Sequence, residues 1–203
     1  MLASGPNVSI HTIWKDARPV LSSDGLLLTP NTALADCPAL DVLCVPGGAG
    51  VQALMANEEV HAFLRSRAEG CRFLCSVCTG SLVLGASGLL RGYKATTHWQ
   101  SLEMLSLFGA EPVSRRVVMD GNRISAAGVS AGIDMGLMLA GMLWGHATAQ
   151  GIQLALEYAP EPPYEAGSPA TAPHEVVEEV IARTAARQAA RRIVAAEAAR
   201  RLR

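Results

Sequence analysis

The chain has 203 residues, half of them hydrophobic and 17% charged, with a formal net charge of −1. That length suits one domain with a sizeable core, and the composition excludes a disordered chain or a strongly basic nucleic-acid binder. No apolar run is long enough to span a membrane, the first residues lack a signal-peptide pattern, and an odd five cysteines fit a reducing cytoplasm better than a disulfide framework.

In chain order, residues 8–14 (VSIHTIW) alternate as a strand, and Ser23-Asp24-Gly25 signals a turn before a short extended segment, Leu26–Thr29. Leu40–Val45 is nearly continuous in apolar character, as a parallel strand buried on both faces would be. It ends in Pro46-Gly47-Gly48-Ala49-Gly50, a loop in which backbone can approach a ligand closely. Asn57 is placed to cap a helix from Glu58 to about Ala68, with acids in its first turn. A strand follows over Arg72–Val77, and a helix from Thr79 to about Ala86, ended by Gly88.

Between that strand and helix lies Ser76-Val77-Cys78-Thr79-Gly80, the layout of a nucleophile elbow with cysteine as the nucleophile. Small neighbours suit the crowding of such a turn, and the helix N-terminus favours negative charge on the sulfur. Cys78 is therefore the candidate nucleophile, and Cys44 and Cys71 read as buried structural cysteines. Cys75 and Cys78 form a formal C-x-x-C, but Cys75 falls inside the strand rather than at the helix start, which argues against a dithiol redox pair. The backbone N–H groups of Gly48 and Thr79 are candidates for an anion-stabilising hole. The Thr79 hydroxyl alternatively serves only as a cap.

Gly92–Trp99 reads as a short strand opening into a helix through Phe108, with His98 either a site residue or merely a helix cap. Arg115–Met119 and Arg123–Ser125 read as a hairpin around Asp120-Gly121-Asn122. Ser130 is placed to cap a long helix reaching about His146, with Asp134 in its first turn, and a further helix covers Thr148–Tyr158. The proline-rich stretch 160–173 is loop, and His174–Arg203 is an Ala- and Arg-rich helix. The tail from Ile181 carries seven arginines against one acid, Glu197, a face that is most simply solvated. Strands alternating with helices predict a three-layer α/β domain over 1–173 with a mainly parallel sheet, followed by the helix 174–203. Ligands in such folds bind beyond the carboxyl ends of the strands, where Gly47-Gly48 and Cys78 both fall. No His, Cys and carboxylate cluster has metal-ligand spacing, so neither metal nor cofactor is expected.

The combination of Asp41-Val42-Leu43-Cys44-Val45-Pro46-Gly47-Gly48, Ser76-Val77-Cys78-Thr79-Gly80-Ser81 and Ala95-Thr96-Thr97-His98-Trp99 resembles the ThiJ/PfpI superfamily. With Gly128–Asp134, Leu156-Glu157-Tyr158 and the downstream prolines, the chain is most similar to the isonitrile hydratases within it, over roughly residues 8 to 175. The resemblance implies a flavodoxin-like, glutamine-amidotransferase-like sandwich, a homodimer and a small-molecule substrate. It also implies catalysis by Cys78 assisted by Thr79, with a histidine such as His98 often near the cysteine. A carboxylate near the N-terminus completes the family's site. The family pattern places a strand and helix with an Asp-Leu-x-x-Pro-type segment ahead of residue 8, where this chain has Met1–Asn7. The expectation is a sheet without its first, central strand, a site without its acid, and a reading frame that starts upstream.

The implied reaction is hydration of an isonitrile. Cys78 attacks the isonitrile carbon, a thioimidate forms, and water releases an N-substituted formamide. The alternative is a non-enzymatic metabolite or redox sensor, since similar domains open AraC-type transcription regulators. Those carry two helix-turn-helix units afterwards, and residues 174–203 are too few for such a domain.

Overall fold

The computed structural model describes residues 1–22 and 25–202. Strands β1 (Ile13–Trp14), β2 (Val20–Leu21), β3 (Leu27–Leu28) and β4 (Thr32–Ala33) precede β5 (Val42–Val45), helix α1 (Val51–Met55) and helix α2 (Glu58–Ala68). Then come β6 (Phe73–Val77), α3 (Gly80–Ala86), β7 (Lys94–Ala95), a 3-10 helix (Trp99–Phe108), β8 (Glu111–Pro112), β9 (Val117–Asp120) and β10 (Arg123–Ala126). The chain closes with α4 (Ala131–Trp144), α5 (His146–Ala155) and α6 (His174–Arg201). Among the described residues no helix is long and apolar enough to cross a membrane.

The main sheet has the order β5-β6-β10-β9, parallel from β5 through β10 and antiparallel at the β9–β10 hairpin, which turns at Gly121. Along β6 successive residues face opposite layers: Leu74 joins the core under α1, α2, α3 and α6, whereas Phe73 and Cys75 join the core under α4. Helices on both sides of one sheet make the three-layer α/β sandwich expected. Asn57 caps α2, its side chain accepting from the Val60 N–H at 3.1 Å. Gly85 leaves room for the Phe108 ring, since a Cβ there would lie 2.5 Å from Phe108 Cδ2.

Several expected elements differ. The strand expected over 8–14 shrinks to β1, which pairs with β4 in a separate two-stranded sheet. Just before it the Asn31 side chain takes over part of the pairing, accepting from the Thr12 N–H at 2.8 Å and donating to the Ile10 carbonyl at 2.9 Å, while the Thr12 carbonyl accepts from the Asn31 and Thr32 N–H groups at 2.9 and 3.3 Å. Beyond β5, last in its sheet, lies a cavity of about 1250 Å³ reaching from Val42–Val45 to Ile10–Trp14. Only Leu43 and Val45 of β5 are buried, because the opposite face of the strand opens onto this cavity. Cys44, expected to be buried, is exposed there; the enclosing walls still push its thiol up to about 11 through desolvation. The helix expected after Gly92–Trp99 is 3-10 rather than α, and Ser130 makes no capping bond at α4. Its hydroxyl instead accepts from Arg116 at 3.3 Å, beside an Arg116–Asp134 ion pair and a Tyr158–Asp134 hydrogen bond of 2.6 Å. The Ser23-Asp24-Gly25 turn signal lies largely outside the described residues.

Phe108 is 1% exposed, so Phe108→Ala should lower the unfolding free energy by about 3–5 kcal/mol. Urea denaturation measures this, and a loss under about 1 kcal/mol would show that the ring's site collapses freely.

Candidate active site

The site starts from a backbone constraint. Cys78 has φ +55°, a left-handed conformation that side-chain-bearing residues seldom adopt. It follows β6 directly, and α3 begins two residues later. The turn is fixed from several sides. The Cys78 N–H donates to the Ala126 carbonyl at 2.9 Å, and the Cys78 carbonyl accepts from Thr97 Oγ1 at 2.8 Å and Ser81 Oγ at 3.2 Å. Over-determination of this kind holds a strained residue in place.

Two glycines let the neighbouring loop close against the turn. A Cβ on Gly80 would fall 2.1 Å from the Val45 carbonyl oxygen, and one on Gly47 would fall 2.7 Å from the Thr79 nitrogen. The Gly48 N–H donates to Thr79 Oγ1 at 3.3 Å, so the two expected anion-hole residues meet at the elbow. Thr79 precedes α3 without a side-chain capping bond. Cys78 itself is half-buried, and Ser76, two residues earlier, is buried with no partner for its hydroxyl.

His98 begins the 3-10 helix as its cap, Nδ1 accepting from the Gln100 N–H at 3.4 Å. Burial first, and then the guanidinium groups of Arg191 and Arg187, hold its imidazole below the usual histidine range. Those arginines come from α6, which the tail's composition marked only as a solvated face. Thr184 accepts from Gln100 Nε2 at 2.7 Å, and Gln188 accepts from Ser101 Oγ at 3.2 Å. Gln52 Nε2, on α1, donates to the Arg187 carbonyl at 3.2 Å. The missed signal lay in phase: Thr184, Gln188, Arg191, Ala195 and Ala198 recur every three or four residues, one face of a helix.

Among the described residues no carboxylate hydrogen-bonds to Cys78, Thr79 or His98. Glu58 pairs with Arg65, and Glu59 lies 2.5 Å from Lys15. Cys75 is 0% exposed within β6, its thiol pushed up by desolvation, and it forms no disulfide with Cys78. The arrangement brings a free, half-buried thiol at Cys78 next to the hydroxyl-bearing Thr79 at the start of α3.

The DJ-1/PfpI family model matches residues 3–142. Isonitrile hydratase from Pseudomonas putida is 56% identical over 131 residues, 64% of this chain and 58% of that protein. The HTH-type transcriptional regulator GbdR from Pseudomonas aeruginosa strain UCBPP-PA14 is 40% identical over 123 residues, 60% of this chain and 33% of the regulator. The crystal structure of a ThiJ/PfpI family protein from Pseudomonas syringae superposes with a TM-score of 0.90 at 42% identity, covering 92% of this chain and 78% of that one. The chain thus spans little more than half the length of the hydratase and a third of the regulator.

Because Gly80 sits against the Val45 carbonyl, Gly80→Ala should destabilise the fold by about 1–3 kcal/mol or more, read as a lowered thermal midpoint. An unchanged midpoint would mean that the two loops separate at no cost. His98, held low, gains its proton later on acidification than the unfolded chain does. Its contribution is therefore complete above the unfolded value near 6.5 and is lost as pH falls below it. Urea curves across this range should show a shallower acid loss in His98→Asn, which keeps a capping acceptor; an identical slope would sink the assignment.

Proposed function

The chain belongs to the DJ-1/PfpI family, and we propose that within it the protein acts as a cysteine-dependent lyase of the isonitrile hydratase kind. The observation that carries this reading is Cys78 at φ +55° between β6 and α3, where the chain accepts backbone strain to present a sulfur. The similarity to isonitrile hydratase supports the choice of substrate class.

In this reading the Cys78 S–H adds to the terminal carbon of an isonitrile. Sulfur and proton both end on that carbon, giving a thioimidate whose nitrogen keeps its substituent. Water then adds to the C=N carbon, one of its protons goes to nitrogen, and the C–S bond breaks. The products are an N-substituted formamide and the free cysteine. Thr79, whose hydroxyl lies at the elbow and accepts from the Gly48 N–H, is placed to orient the incoming group or water. His98, kept neutral by burial and two arginines, acts in this scheme as a positioning residue rather than as an acid.

A second reading, a module that binds a metabolite or senses oxidation through Cys78, is supported by the 40% identity to the GbdR regulator. Turnover separates the two. With a simple alkyl isonitrile, the chain should release formamide, Cys78→Ala should lose at least about a thousandfold in rate, and Thr79→Val should lose less. Full activity in Cys78→Ala would eliminate the cysteine mechanism. A chain that is folded, inert and reversibly oxidised at Cys78 would favour the sensor.

A further inference from the structure

Helix α6 brings a buried cation to the site. Arg191 is 5% exposed, and its Nη1 donates to Ser101 Oγ and to Gln188 Oε1, both at 3.3 Å. Its Nε is fully buried and has no hydrogen-bond partner, and Nη2 bonds to no described residue. The unpaired Nε–Nη2 edge is the one with which a guanidinium grips a carboxylate through two parallel bonds.

Among the described residues no acid pairs with Arg191 or with Arg187. The Cys78 carbonyl accepts from Thr97 Oγ1 at 2.8 Å, and Thr97 lies just before the 3-10 helix whose Ser101 accepts from Arg191, so one short segment joins the elbow to the guanidinium. Burial and Arg187 pull that guanidinium down, while Cys78 acts the other way. A buried guanidinium with an unpaired edge and no counter-ion is costly unless an anion completes it. Ser101 Oγ and Gln188 hold the head group from the other side, so its direction is fixed before any ligand binds.

We infer that the Nε–Nη2 edge of Arg191, backed by Arg187 one turn earlier on α6, forms an anion subsite beside Cys78, and that the small molecule handled there carries a carboxylate. This deepens the reading of Cys78 as the nucleophile and rests on it. The substrate class becomes an isonitrile with a carboxylate close to the reacting carbon, and α6 becomes part of the substrate's binding wall.

Two alkylating reagents test this without any turnover assay. Iodoacetate and iodoacetamide both alkylate a thiolate at their CH2 carbon with loss of iodide, leaving a carboxymethyl group in the first case and a neutral carbamidomethyl group in the second. The ratio of their rates at one cysteine cancels that sulfur's own ionisation. Peptide-resolved mass spectrometry of the full chain follows Cys78, with exposed Cys44 as an internal reference outside the α6 site. The iodoacetate-to-iodoacetamide ratio should be about tenfold higher at Cys78 than at Cys44. Arg191→Gln should bring it down to the Cys44 value, and Arg187→Gln should lower it part of the way. In the unaltered chain, acetate should slow iodoacetamide at Cys78 more than chloride does at the same ionic strength. Equal ratios at the two cysteines, with no protection by acetate, would overturn the subsite while leaving the nucleophile intact; this holds even if Arg191→Gln fails to fold. A Cys78 inert to iodoacetamide would overturn both. A high ratio in a chain that hydrates no isonitrile would keep the subsite and reject the hydratase.

Discussion

The structure depends on how closely the end of β5 can approach the turn after β6. The Val45 carbonyl sits where a side chain on residue 80 would be, and the Thr79 nitrogen sits where one on residue 47 would be. With glycine at both positions the two loops touch, backbone against backbone. That contact sets where the sulfur stands relative to the Gly48 N–H and fixes where α3 starts. It also fixes the angle at which α3 enters the core shared by α1, α2 and α6. A methyl group at either glycine would drive the loops apart and move every group of the site at once.

What could be read in the sequence followed from strong local rules. The elbow stood out because strand pattern, small residues and helix pattern changed within a few positions, and only a sharp turn reconciles them. Asn57, Gly88 and the Asp120-Gly121 turn each carried chemistry that specifies one backbone geometry. What escaped notice depended on distant partners. The extent of the strand near residue 13 was overestimated because alternation reports which faces differ, not whether a neighbour is there to pair with. Cys44 looked buried because its neighbours are apolar, yet the cavity beside β5 leaves that side uncovered. The α6 arginines looked alike in composition; only packing against the 3-10 helix separates Arg191, inside, from Arg187 and Arg192 at the surface.

The site therefore draws on three remote parts of the chain. The first supplies the glycine loop after β5, the second the elbow, and the third the α6 side chains that lie over His98 and Ser101. Gln52 ties α6 to the helix that leaves the glycine loop, and Gln100 ties it to the segment that supports the Cys78 carbonyl through Thr97. A displacement of α6 would disturb both flanks of the sulfur together. The last helix is in this sense a clamp on the site as well as a layer of the core.

The left-handed turn at Cys78 also bears on how such a protein drifts over generations. A glycine there would adopt φ +55° with little strain and would release on the order of 1–3 kcal/mol now stored in the turn. Selection acting on folding alone would therefore move this position toward glycine, since the fold would gain and the packing would lose only a half-exposed side chain. On the proposed reading of Cys78 as the nucleophile, the chemistry of the sulfur is the opposing demand, one that glycine could not meet. On that reading stability and chemistry pull this one position in opposite directions, and the backbone strain at residue 78 is the cost of the second.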